Sequence, residues 1–186
     1  DDAPIGHAEL IFENCHVPAE NVLLGEGRGF EIAQGRLGPG RMHHCMRLIG
    51  TGQRALELAC KRSTSRTTFG RQLSKHQSVR EDISRMFSEI EMARLLVLKT
   101  CHKIDEQGVA ASIDMIAATK TTIPLLIQNV IDRAMQMHGA GGLTADYCMA
   151  EGYNYARWCR QADGPDQVHQ MALGKQIIER YSESKA

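Results

Sequence analysis

The 186-residue sequence carries no net charge, because 22 Lys and Arg balance 22 Asp and Glu. That balance removes the broad basic footprint of a nucleic-acid binder and leaves no acidic tail. No apolar run approaches the roughly 20 residues of a membrane-spanning helix. Neither an internal repeat nor a low-complexity tract is visible. None of the six cysteines, at 15, 45, 60, 101, 148 and 159, forms a Cys-x-x-Cys pair. Their spacing suggests no disulfide framework and fits a reducing compartment. An initiator Met is also missing. The chain opens Asp1-Asp2-Ala3-Pro4, which is neither a signal nor a transit peptide, and a piece of a longer protein is expected. What is present is globular: 42% hydrophobic and 24% charged residues, at a length that buries a core without disulfides or metal.

Two textures follow each other. Residues 1–28 read as the end of a β region, with a short strand over His7–Phe12, a turn at Val17-Pro18 and a loop punctuated by Gly25, Gly27 and Gly29. One strand cannot stand alone, so its partners are expected from elsewhere. From Phe30 onward the chain reads as helices. A short one to about Leu37 is expected to break at Gly38-Pro39-Gly40, and a long one to follow from Arg41 to about Ser65. Gly50 and Gly52 inside it suggest close helix packing. Ser78-Val79-Arg80-Glu81 has the form of a capping box. Val79, Ile83, Met86, Phe87, Ile90, Val97, Cys101 and Ile104 then fall near helical spacing, up to Gly108. Ser112 can cap a third long helix carrying Ile116, Ile127, Val130, Ile131 and Ala134, kinked at Pro124 and stopped at Gly139. A short helical stretch through Tyr155 and a last helix opening at Gly164-Pro165-Asp166 complete the pattern. Val168, Met171, Ala172 and Ile178 are expected to be the apolar face of that last helix. The fold class is mainly α, an antiparallel four-helix-type bundle preceded by a remnant β strand.

Four segments have the residue types that chemistry needs. His43-His44-Cys45 offers metal-binding side chains, but neighbours on a helix point about 100° apart and share one ion poorly. They read as ordinary helix residues, and no metal is expected. Arg66-Thr67-Thr68-Phe69-Gly70 with Gln77 suits either a helix end or a phosphate and a base edge. Gln136-Met137-His138-Gly139-Ala140-Gly141-Gly142 looks like a phosphate loop but follows a helix, where a dinucleotide fingerprint follows a strand. It suits a C-cap, or a backbone that a flat or charged ligand can approach closely. Ala162-Asp163-Gly164-Pro165-Asp166 places two carboxylates at a helix start. They serve as caps, or Asp163 is a general base on a rigid turn.

Taken in order, these segments resemble the C-terminal helical domain of the acyl-CoA dehydrogenases. The likeness begins at Phe12-Glu13-Asn14-Cys15-His16-Val17-Pro18 and continues through Leu23-Leu24-Gly25-Glu26-Gly27-Arg28-Gly29-Phe30. It includes Arg66, Phe69, Gly70, Leu73 and Gln77, then Gln136, Gly139 and Gly142. Gly35-Arg36-Leu37-Gly38-Pro39-Gly40-Arg41 and Ala162-Asp163-Gly164-Pro165-Asp166 are similar to family members ten and eleven. By this resemblance, residues 1–28 are the end of a middle β domain with its linker, and 29–186 are the C-terminal bundle.

The resemblance implies α,β-dehydrogenation of acyl-CoA thioesters with FAD, in fatty-acid β-oxidation. It implies Asp163 as the base that removes the α proton, with the β hydride passing to flavin N5. Arg41 would stand near substrate and base, orienting the carboxylate, and Gly164 beside the thioester. The Asp163 N–H and a flavin hydroxyl would polarise the thioester oxygen. Arg66, Thr68, Phe69, His76, Gln77, Gln136, Gly139, Ala140, Pro165 and Gln167 fall on positions that hold FAD, many of them for the neighbouring subunit. A homodimer or tetramer is implied, with electron-transferring flavoprotein as electron acceptor and the mitochondrial matrix, or the peroxisome, as compartment. Asp163 stands where most relatives have Glu, Ala162 where they have Tyr, and Pro165 where they have Thr. The isolated stretch is expected to be inactive. The alternatives are a catalytically silent assembly subunit and an oxidase that passes electrons to oxygen.

Overall fold

A computed structural model describes residue 6 and residues 8–183. Asp1-Asp2-Ala3-Pro4 and His7 lie outside the described residues. Over 8–12 no strand forms, against the expectation from sequence. Leu10, Ile11 and Phe12 stand exposed, and among the described residues no strand lies beside them to take their backbone hydrogen bonds. A single 3-10 turn, Ala19–Asn21, follows Pro18.

Among the described residues five α-helices make the body: α1 (Gly29–Ser65), α2 (Gln77–Ala111), α3 (Ile113–His138), α4 (Met149–Cys159) and α5 (Asp166–Glu183). The helix α1 is continuous where a break at Gly38-Pro39-Gly40 was expected. Pro39 removes one hydrogen bond, but packing prevails. A Cβ at Gly38 would meet Val109 Cγ1 at 2.6 Å, so the glycine lets α1 lie directly on the end of α2. Gly52 does the same against Ile127, where a Cβ would come within 3.0 Å, whereas Gly50 faces open space. Between α1 and α2 a hairpin of β1 (Thr67–Thr68) and β2 (Arg71–Gln72) pairs Thr67 with Gln72 and Thr68 with Arg71. Its turn residues, Phe69 at φ 49° and Gly70 at φ 76°, are both left-handed, as a tight hairpin turn requires.

Helix α2 starts two residues earlier than the capping-box pattern suggests. Its N-cap is His76, and no side chain caps it. The helical geometry breaks at Gly108, at φ 80°. Ser112 occupies the N-cap of α3, but its hydroxyl donates backward to the Gly108 carbonyl and not to the new helix. α3 runs through Pro124 without interruption and ends at Gly139, φ 62°.

Pairings across the bundle fix its topology. Thr100 meets Thr119 and Glu89 meets Arg133, so α2 and α3 are antiparallel. Cys45 meets the Thr119 carbonyl and Gly52 meets Ile127, so α1 and α3 run the same way. Asp114 pairs with Arg180 and Lys120 reaches Asp166, so α5 returns antiparallel on α3. The core is one cluster from Met42, Leu48, Met86, Ile90, Ile127 and Ile131 to Met149 on α4. Two sequence expectations fail locally. Phe87 lies outward, because the buried stripe of α2 is Met86, Ile90, Ala93 and Val97. Val168, Met171 and Ile178 on α5 are also exposed, because the Arg180 ion pair and a His169 bond to the Asp163 carbonyl turn another face toward α3.

Candidate functional site

The turn between α4 and α5 holds Asp163 in the left-handed region, φ 57°, followed by Gly164 at φ 103°. Asp tolerates that conformation better than most residues, and Gly has no penalty there. A Cβ at Gly164 would also meet His169 Nε2 at 2.8 Å. Three side chains from three helices clamp the backbone of this turn. Arg41 Nε donates to the Asp163 carbonyl at 3.0 Å. His169 Nε2 donates to the same carbonyl at 3.1 Å. Lys120 Nζ, from α3, donates to the Gly164 carbonyl. Behind it Asp166 is buried, bonded to Arg160 Nε at 2.8 Å and 4.0 Å from Lys120 Nζ. Buried charges of both signs thus compensate one another beneath the turn. Burial pushes the Lys120 and Arg41 pKa values down, and Asp166 and Asp163 respectively oppose that.

The Asp163 carboxylate points elsewhere. Its Oδ2 lies 3.3 Å from His44 Nε2, and both side chains are about one-fifth exposed. Arg41 therefore grips the main chain of this residue and not its carboxylate, which differs from the orienting role expected for it. By its sequence alone His44 is an ordinary helix residue. The available signal was its spacing, three residues beyond Arg41 on the same helix face. Around His44, Tyr155 stacks on Trp158 at 5.6 Å and Trp158 meets the imidazole edge-on at 5.5 Å. Arg47 and Tyr155 also line a cavity of about 520 Å³ between α1 and α4, with Thr51, Arg54 and Glu151. His43 is exposed and Cys45 buried, so the three-residue run points three ways. Burial raises the Cys45 thiol to about 12. Among the described residues no group of three His, Cys, Asp or Glu could hold a metal ion.

The remaining candidates separate into two sets. Pro165 and Gln167 are exposed beside Asp163. Arg66, Thr68, Phe69, His76 and Gln77 lie on the hairpin and at the start of α2, while Gln136, Gly139 and Ala140 lie at the end of α3. The parallel run of α1 and α3 brings this second set to one end of the bundle. Phe69 is 97% exposed there. Among the described residues His76 Nε2 is buried without a hydrogen-bond partner, and the Gln77 amide donates to Glu81 at 2.8 Å. The following turn cannot thicken, because a Cβ at Gly142 would meet the Met135 carbonyl oxygen at 2.7 Å. Measured along α1 at 1.5 Å per residue, Arg66 stands about 37 Å from Arg41.

Residues 27–178 match the family model described as acyl-CoA dehydrogenase, C-terminal domain. The chain is 50% identical over 182 residues to the probable acyl-CoA dehydrogenase IBR3 of Arabidopsis thaliana, covering 98% of this chain and 22% of that protein. It is 51% identical to acyl-CoA dehydrogenase family member 10 of Mus musculus, covering 98% of this chain and 17% of the mouse protein. It thus spans about a fifth of the length of these relatives. Among solved structures, a putative acyl-CoA dehydrogenase from Mycobacterium abscessus superposes with a TM-score of 0.84 at 44% identity, covering 89% of this chain and 40% of that one.

Proposed function

Because this chain belongs to the acyl-CoA dehydrogenase family, with close homologues among its members 10 and 11, we propose that the protein carrying it desaturates acyl-CoA thioesters at the α,β bond. Asp163 is the base that takes the α proton. The observation carrying this reading is the clamped turn: Arg41 and His169 hold one carbonyl and Lys120 the next, so the carboxylate is presented from a backbone with little freedom. The Asp163 N–H makes no backbone hydrogen bond among the described residues. It is the donor we assign to the thioester oxygen, where negative charge develops as the α proton leaves. Gly164, at φ 103° and packed against His169, continues that turn, and we place it beside the thioester.

FAD is the cofactor we propose; bound there, it would supply the hydride acceptor for the β carbon. The second set of residues fits such a group. Arg66 is exposed, His76 offers a buried nitrogen that lacks a partner among the described residues, and Gly139 and Ala140 are exposed. Pro165 and Gln167 would meet it at the Asp163 end. The separation of about 37 Å along α1 is longer than one extended dinucleotide. The two sets therefore serve different cofactor molecules, and each pocket draws on two copies of the chain, in a homodimer or a dimer of dimers. Electron-transferring flavoprotein is the acceptor we propose, on resemblance.

The test is the visible spectrum of the protein that carries this chain, during anaerobic addition of short-, medium- and long-chain acyl-CoAs. Bleaching by one class is expected. Asp163→Ala should abolish it while FAD stays bound. Loss of FAD in that variant would make Asp163 structural, and a protein without flavin would defeat the reading. Peroxide release with no added carrier would favour the oxidase alternative.

A further inference from the structure

The structure assigns His44 as a positioning residue for Asp163: its neutral imidazole, with the proton on Nε2, faces Asp163 Oδ2 at 3.3 Å and fixes where the carboxylate points. The inference rests on Asp163 being the base.

Geometry decides the tautomer. Three groups approach His44 Nδ1: Arg47 Nη2 at 3.1 Å, the Tyr155 hydroxyl at 2.9 Å and Cys159 Sγ at 4.0 Å. A guanidinium can only donate. An Nδ1–H would face it donor to donor, so Nδ1 is the acceptor and the single proton of the neutral ring sits on Nε2. That nitrogen lies 3.3 Å from Asp163 Oδ2. A carboxylate only accepts, so the tautomer demanded on one side of the ring is the one the other side can use.

The charge state agrees. Burial lowers the His44 pKa. Asp163 opposes the shift from the α4–α5 turn, while Arg47 and His43 on α1 and Lys120 on α3 reinforce it. The groups contributed by α4 are uncharged at neutral pH: burial lifts Tyr155 to about 12 and Cys159 to about 11. Trp158 packs edge-on against the ring and restricts its rotation.

The arrangement also answers a difficulty of the shorter side chain at 163. An Asp carboxylate has one torsion fewer than Glu, and its backbone is already clamped. A donor from α1 then needs to fix only the remaining side-chain torsions. Removing that donor leaves the base in place but lets the carboxylate turn away from the α carbon.

The test uses the FAD-loaded protein that carries this chain, with the acyl-CoA that bleaches the wild type fastest as probe. His44→Leu is expected to slow flavin reduction by about 10²-fold with little change in thioester affinity. His44→Gln, whose amide N–H reaches a similar point, is expected to restore most of the rate. In substrate-free protein, imidazole 15N NMR is expected to report a neutral His44 protonated on Nε2 near pH 7, and Tyr155→Phe to weaken that preference. A full rate in His44→Leu, or a proton found on Nδ1, would overturn the assignment while Asp163 remains the base. A full rate in Asp163→Ala would remove the base itself, and this role of His44 with it.

Discussion

Arg41 donates from Nε to the main-chain carbonyl of Asp163, 122 residues away in sequence, and leaves that residue's carboxylate to another partner. The first helix of the bundle thereby sets the position of the last turn. Arg41→Ala should release one of the two bonds to that carbonyl, with His169 holding the other. We expect a loss of roughly 1–3 kcal/mol in stability, typical of a bond from a charged donor. A larger proportional loss is expected in the rate of flavin reduction. Arg41→Lys should recover part of the rate through its ammonium. Chemical denaturation and stopped-flow absorbance measure the two effects separately, and an unchanged rate in Arg41→Ala would contradict the clamp.

Gly50 and Gly52 are two residues apart on α1 and should respond to alanine with opposite signs. A Cβ at Gly50 meets nothing within 4 Å, so Gly50→Ala should stabilise the helix by up to about 1 kcal/mol. A Cβ at Gly52 would press on Ile127 at 3.0 Å, and Gly52→Ala should destabilise by about 1–3 kcal/mol. Thermal melts of the two variants give the comparison directly.

Asp114, near the start of α3, ties that helix to α2 and α5. Burial would raise its pKa, but Lys103, Arg180 and the Met115 N–H together bring it down to about 2. A carboxyl whose folded pKa is depressed gives stability that is fully present above its unfolded pKa. That stability is lost as pH falls through the folded value, here between about pH 4 and pH 2. Asp114→Asn should therefore cost roughly 1–2 kcal/mol at pH 7 and little below pH 2, as read from denaturation midpoints across that range. An equal cost at both ends of the range would show that packing, and not charge, sets the effect.

Much of the bundle was legible because its apolar spacing is strict. Ile116, Ile127, Val130, Ile131 and Ala134 all point into the core as their period predicts. Gly38-Pro39-Gly40 misleads because local chemistry says stop, while the close approach to Val109 rewards continuing. On α5 the apolar side chains stay exposed, because polar contacts at both ends of the helix decide which face turns inward. The Asp163 turn was visible in its residues, but its clamps were not. Lys120 and His169 are unremarkable in sequence and acquire meaning only when α3 and α5 cross beside the turn. His44 was hidden in the same way. Its partners Tyr155 and Asp163 lie more than a hundred residues away along the chain.

The hairpin at one end of the bundle and the Asp163 turn at the other have a genetic consequence. Where a pocket is built from one copy's hairpin and another copy's turn, a chain damaged only at Arg66 and a chain damaged only at Asp163 are each inactive by themselves. Assembled together, they form one pocket with both faults and one with neither. Two defective alleles of such a protein would complement each other in the same cell, and two alleles damaged at the same end would not.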